Sequence, residues 1–150
     1  MTATLPHAWH HSSLVVNDLN IGIEFYCDAF GYTVQFREHS MTSQIAQITG
    51  ITGLVCDLAQ LHAPYSSHIL ELIHFHQTEH VARNELPAPI YPGMAHVAFF
   101  VDNLESHMKR VESLGARRLG KVTEFEDGNS VYFQEPAGSF FEMEGSRTNP

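Results

Sequence analysis

Basic residues are scarce in this chain. Eight Lys and Arg stand against 17 Asp and Glu, for a formal net charge of −9, and the eight form no long run. A nucleic-acid surface needs clustered cations, so no nucleic-acid partner is expected. Long apolar runs are also missing: none approaches the ~18 residues that cross a bilayer as a helix. The start, Met1 to His7, has neither the basic nor the apolar region of a secretory leader. These absences set the expectation of a cytoplasmic protein with no membrane partner. Cysteine is limited to Cys27 and Cys56, in no CxxC spacing, which reads as two buried thiols. With 150 residues and 43% hydrophobic content, the chain is long enough to build one domain around a full core without staples.

Histidine is what the chain has in excess, with eleven, and position has to decide which of them matter. An internal repeat supplies the positions. His11-Ser-Ser-Leu-Val-Val-Asn-Asp18-Leu19 lies over His96-Val-Ala-Phe-Phe-Val-Asp-Asn103-Leu104. Each copy is a His, a β-rich run, and an Asp or Asn suited to cap a helix. Leu19, Ile23, Tyr26 and Phe30 then recur at helical spacing, as do Leu104, Met108, Val111 and Leu114. Gly31 and Gly115 stop the two helices. Extended segments follow at 32–37, 54–61 and 69–75, and again at 116–122, 131–134 and 140–144, with Gly128-Asn129 and Ala137-Gly138 as turns. Residues 42–49 read as an extra short helix. The expected fold is α+β: two βαβββ modules forming a curved eight-stranded mixed sheet around a central cavity. Module one covers about 8–77, a linker with Pro87, Pro89 and Pro92 about 78–93, and module two about 94–146.

Side chains alternate along a strand, so parity sorts the faces. Leu14 and Val16 form the set for the helix side, which leaves His11, Ser13 and Val15 on the concave side. In the second copy Val97, Phe99 and Val101 oppose His96, Ala98 and Phe100. Glu71 stands in Ile-Leu-Glu-Leu-Ile and Glu142 in Phe-Phe-Glu-Met. A carboxylate buried among apolar strand residues is costly unless paired, and a divalent cation relieves that cost. His11, Glu71, His96 and Glu142 therefore form the candidate ligand set. Nitrogen and oxygen donors of this kind suit Zn, Ni, Co, Mn or Fe(II) rather than Ca or Mg. His74 and His76 alternate with Leu70 and Leu72, away from Glu71, while His62, His68 and His80 fall in loop-rich stretches.

These residues resemble the vicinal-oxygen-chelate superfamily, which includes glyoxalase I, methylmalonyl-CoA epimerase, extradiol dioxygenases and the fosfomycin- and bleomycin-resistance proteins. The resemblance rests on His11-x6-Asp18-Leu19 with Glu24-Phe25-Tyr26 and Phe30-Gly31-Tyr32, on Gly93-Met-Ala-His96-Val-Ala-Phe-Phe-Val-Asp, and on Glu135-Pro136-Ala-Gly138-Ser-Phe-Phe-Glu142. It covers nearly the whole chain. By match of motif the ligands become His11, Glu71, His96 and Glu142, around one divalent metal with an open position for substrate oxygens. His10 adjoins His11 but has the wrong parity. Glu144 shares the parity of Glu142, yet the family spacing from the turn glycine favours Glu142.

The resemblance implies a lyase or isomerase that moves a proton beside a metal-polarised carbonyl, with Glu142 or Glu71 as the base. Two alternatives stand beside it. An Fe(II) extradiol-type dioxygenase is suggested by Val131-Tyr132-x2-Glu135-Pro136-x-Gly138-x3-Glu142, but Thr123, Glu124 and Phe125 stand where its upstream His belongs. A small-molecule-sequestering module needs no catalytic metal, whereas four ligand-type residues are retained here. Val15 and Phe75 occupy positions where glyoxalase I has glutathione contacts, which pulls the substrate away from glutathione. Arg117, Arg118 and Lys121 are candidates for a CoA phosphate. Ser13, Phe75, Phe100, Tyr132 and Phe140 are candidates for the substrate pocket, with Ile69 and Ile73 on the same parity. A homodimer is expected, with the site either within one chain, as in the epimerase, or across the interface, as in glyoxalase I.

Overall fold

A computed structural model describes residues 10–76, 96–126 and 128–146. The linker expected at 78–93, and His80 within it, lie outside the described residues. Module one runs β1 (Ser12–Val15), α1 (Leu19–Phe30), β2 (Thr33–Met41), α2 (Ser43–Thr49), β3 (Cys56–His62) and β4 (Ile69–Phe75). Module two runs β5 (His96–Val101), α3 (Leu104–Ser113), β6 (Arg117–Arg118), β7 (Thr123–Glu124), β8 (Gly128–Gln134) and β9 (Phe140–Ser146). The sheets have the same plan. Their orders are β1-β4-β3-β2 and β5-β9-β8-β6, with β7 also on β8. In each, the first strand is parallel to the last, so each module's opening His is carried next to its closing Glu.

Both helix starts follow from their caps. The Asp18 carboxylate accepts the Ile21 N–H at 3.0 Å, and the Asn103 side chain accepts the Ser106 N–H at 2.9 Å. Gly31 stops α1 at φ +72, and Gly115 at φ +94 follows α3. The α1 helix touches both modules. Gly22 leaves room for Leu72 and Ala137, either of which would meet a Cβ there within 3.6 Å. Phe30 stacks on Phe99 at 3.8 Å, and Phe25 packs against Phe141 at 5.5 Å. One core accordingly spans both sheets, from Leu14, Tyr26 and Leu72 to Val111, Phe133 and Met143. The modules are also stitched by the backbone, where Asn17 N–H donates to Ala137 O and Ser139 Oγ to Val15 O, each at 2.8 Å.

The fold is α+β with two sheet modules, as expected, and two local details differ from expectation. The strands form two mixed sheets, of four and five strands. The reason is that α1 lays its aromatic side on the second sheet, so the modules meet through their helix sides and β1 and β5 remain terminal. Of the segment expected at 116–122 only Arg117–Arg118 is strand, as β6, and β7 follows beyond it at Thr123–Glu124, both paired to β8. Gly128 and Asn129 are not a turn: they already pair with Ser146 and Gly145, and the reversal is closed before them by Phe125 N–H on Gly128 O. Cys56 is buried as expected while Cys27 is partly exposed, and both are free thiols. No helix among the described residues is long and apolar enough to cross a membrane.

Candidate metal centre

Strand register builds the same pair twice. In module one Ser13 lies opposite Glu71, and His11, two residues earlier, places Nε2 3.8 Å from Glu71 Oε1. In module two Ala98 lies opposite Glu142, and His96, again two residues earlier, places Nε2 3.4 Å from Glu142 Oε2. The carboxylates are mostly covered, each with a side chain 15% exposed, and the imidazoles are more open at 35% and 36%. Leu14 and Val16 are buried while Ser13 and Val15 are open, as parity requires.

Each carboxylate is held by neighbours on its own face. Glu71 accepts from Ser13 Oγ at 3.1 Å and from Gln60 Nε2 at 3.2 Å, Gln60 being its partner across β3 and β4. Glu142 accepts from Ser130 Oγ. Its cross-strand partner Tyr132 lies with its hydroxyl 3.3 Å from His96 Nε2 and its ring edge-on to the imidazole at 4.9 Å. Burial, and then the charge of Glu142, push the Tyr132 phenol upward, so it stays a neutral donor. Gln60 and Ser130 escaped the sequence reading. Their signal was present as polar residues two before or after apolar strand positions, but it becomes specific only once register places them opposite or diagonal to a carboxylate. His10 also acquires a role that parity had denied it. Its Nδ1 meets His11 Nδ1 at 2.8 Å, which orients the His11 ring with Nε2 toward Glu71.

Among the described residues, no three His, Cys, Asp or Glu side chains come together so as to hold a metal ion. The four expected ligands stand as two pairs on two faces. Each pair offers one imidazole and one carboxylate, donors of a kind that suit a borderline divalent ion.

The expected pocket residues divide. Ser13 and Tyr132 adjoin the pairs. Phe100 is open on the His96 face, 66% exposed. Phe75 instead packs on a small cluster of Ile45, Cys56, Leu58 and Ile73 beneath α2. Phe140 shares the face of Glu142 but is fully buried, flanked by His96 and Gln134 on the neighbouring strands, so it does not line open space. A cavity of about 1250 Å³ opens beside His96 and is bounded by Phe30, Tyr32, His68 and Phe99. His68 lies in the loop between β3 and β4, as expected, but its ring is anchored. Its two ring nitrogens meet Tyr32 OH at 3.1 Å and Ser12 Oγ at 3.2 Å, and burial lowers its pKa. His62 ends β3 opposite Ile69, and His74 turns away from Glu71 to bond Val16 O at 3.1 Å. Arg117 and Arg118 are engaged on the surface by Gln134 and Glu112.

The family model described as the Glyoxalase/Bleomycin resistance protein/Dioxygenase superfamily matches residues 8–143. No curated protein sequence matches the chain. Among solved structures, a glyoxalase family protein from Bacillus cereus is similar at a TM-score of 0.82 and 19% identity, covering 98% of this chain and 99% of that one. A glyoxylase/bleomycin resistance protein/dioxygenase domain from Frankia sp. EAN1pec gives 0.68 at 19% identity, covering 95% and 100%. The fosfomycin resistance protein FosX from Listeria monocytogenes, as an E126Q mutant complexed with Mn(II) and 1S,2S-dihydroxypropylphosphonic acid, gives 0.64 at 14% identity, covering 96% and 94%. At these identities the structures speak for the fold alone, while the family match spans the repeat, both histidines and both carboxylates: this chain belongs to the glyoxalase/bleomycin resistance protein/dioxygenase superfamily.

Proposed function

We propose that this protein is a divalent-metal-dependent lyase or isomerase that moves a proton beside the carbonyl of a small substrate. Its ligands are His11 and Glu71 of one chain with His96 and Glu142 of a second copy. The observation that carries this reading is the equal register of the pairs, each His standing two residues before the strand partner of its Glu. A second copy is supported by the two open faces. β1 and β5 end their sheets, and Val15 and Phe100 are 58% and 66% exposed beside the ligands. Apolar side chains on unpaired edge strands invite a partner. Pairing β1 with the partner's β5 restores the eight-stranded sheet and sets the two half-sites side by side.

The ion, one of Zn, Ni, Co, Mn or Fe, supplies Lewis-acid polarisation of a substrate oxygen when bound. The chain's own residues do the rest. Ser13 and Gln60 aim Glu71, and Ser130 aims Glu142, so that each carboxylate keeps one defined orientation. Glu71 and Glu142 are the two groups placed to take and return the proton. Tyr132, neutral and beside His96, is placed to donate to a substrate oxygen. Phe100 and Val15 give the mouth an apolar wall, suited to a substrate less polar than glutathione. The Mn(II) complex of FosX with a small diol phosphonate supports the coarser reading of a divalent ion and a small oxygen-bearing ligand. β7 holds Thr123 and Glu124 where the extradiol pattern wants a His, which disfavours the dioxygenase.

Metal analysis of untagged protein tests this. About one equivalent of divalent ion per site in the wild type, lost in His11→Ala and in Glu142→Gln, supports the site. A wild type that retains none refutes it. Deuterium exchange at the α-carbon of thioesters or α-hydroxy ketones supports proton transfer, and catechol-dependent oxygen uptake contradicts it.

A further inference from the structure

A second cluster of titratable side chains lies at the far end of the first sheet, away from the ligands and on the helix side. Asp57 of β3 sits between two imidazoles. His76 Nε2 is 3.0 Å from Oδ2, and His39 Nδ1 is 3.7 Å from Oδ1. The same Oδ1 accepts the Ser40 N–H at 2.7 Å. His74, opposite Asp57 across β3 and β4, has its ring 5.7 Å from that of His76 and spends Nδ1 on Val16 O. Arg37, diagonal to Asp57 across β2 and β3, is taken by Asn20. With one imidazole on each carboxylate oxygen, this arrangement clasps β2 to the end of β4 rather than forming a chelate.

What the clasp holds is unusual. Ser40 is the one non-glycine residue with positive φ (+52) among the described residues, and it lies where the β2–β3 register slips between Glu38 and Met41. Such backbone persists only when its surroundings hold it. Directly after it come α2 and its loop, residues 42–53. α2 has seven residues and no side-chain hydrogen bond at its Thr42 cap, so it has little stability of its own. Its one buried residue, Ile45, packs on Cys56, Leu58 and Ile73, a cluster separate from the main core. The segment ends in Gly50 and Gly53, at φ +72 and +77, with open space around both. The Leu58–Ile73 pair it covers is the row adjoining Gln60–Glu71 on the same face.

We propose that residues 42–53 form a lid over the Glu71 face, hinged at Ser40 and at Gly50–Gly53, and latched shut by the His39–Asp57–His76 clasp. Opening exposes the Ile45 cluster and uncovers the row beside Glu71, and it leaves α1 and the main core intact. Asp57 is the centre of the latch: burial pulls its carboxyl upward, but the Ser40 N–H, His76 and His39 outweigh it and hold it below the usual range, so it is an ionised carboxylate that binds the Ser40 N–H and faces both imidazoles. This inference goes beyond the proposed reaction and stands or falls separately from the metal site.

Hydrogen exchange of the full-length protein tests it, with rates corrected for intrinsic exchange. At pH 6, Asp57→Asn and, independently, His76→Gln open the segment by about three- to tenfold with α1 amides unchanged. Protection of 42–53 that ignores both substitutions, or that moves in step with α1, overturns the lid.

Discussion

At the residue scale, the carboxylates are only as useful as the groups that aim them. Gln60→Leu and Ser130→Ala each leave a carboxylate oxygen of Glu71 or Glu142 without its donor, and under the proposed function each is expected to weaken metal affinity by about 10- to 100-fold while the fold persists. Titration with a chromophoric divalent ion measures this, and unchanged affinity in both variants contradicts the assigned roles. His68 makes a different prediction. Burial lowers its pKa, so the neutral ring is the folded form and the unfolded chain binds the proton more readily. The stability it contributes is complete above the ordinary imidazole value of about 6.5 and is lost as pH falls through the lower folded value. Denaturant midpoints should therefore drop from pH 7 to pH 5 in the wild type and drop less in His68→Gln. Equal slopes would remove His68 from the account.

At the scale of elements, the caps carry the two helices that define the repeat. Asp18→Ala and Asn103→Ala each remove one side-chain acceptor from a first turn, and each is expected to cost about 1 kcal/mol by urea denaturation. A loss under a few tenths would mean packing alone holds those starts. These caps were readable from sequence because an N-cap is a local event: an Asp or Asn, then a Leu, then helical spacing. β4 was readable for a similar reason, since Ile69 to Phe75 is a short apolar run broken only by Glu71 and His74. The bounds of β6 and the existence of β7 were not, because two-residue strands are defined by pairing to β8, which no local pattern encodes. Gly128 and Asn129 misled for the same cause: their composition is that of a turn, and tertiary pairing with Ser146 and Gly145 overrode it.

At the scale of the whole molecule, the faces were legible and the assembly was not. Parity placed His11, Ser13, His96 and Phe100 on the open faces because alternation is fixed by the backbone. It could not show that α1 would put Phe25 and Phe30 against the other module's Phe141 and Phe99, which keeps β1 and β5 apart in one chain. The buried state of Phe140 was equally out of reach, since parity gives a face and not what lies over it. On the proposed function, a site of four ligands draws its halves from two copies, which complementation measures directly. One variant carries His11→Ala with Glu71→Gln, and the other carries His96→Ala with Glu142→Gln. Neither alone should bind the ion. Mixed and allowed to exchange subunits, they should regain about a quarter of the wild-type metal content, since about half the dimers are mixed and each has one intact site of two. No recovery, from two variants shown to exchange subunits, would contradict the shared centre and return the four residues to two separate pairs.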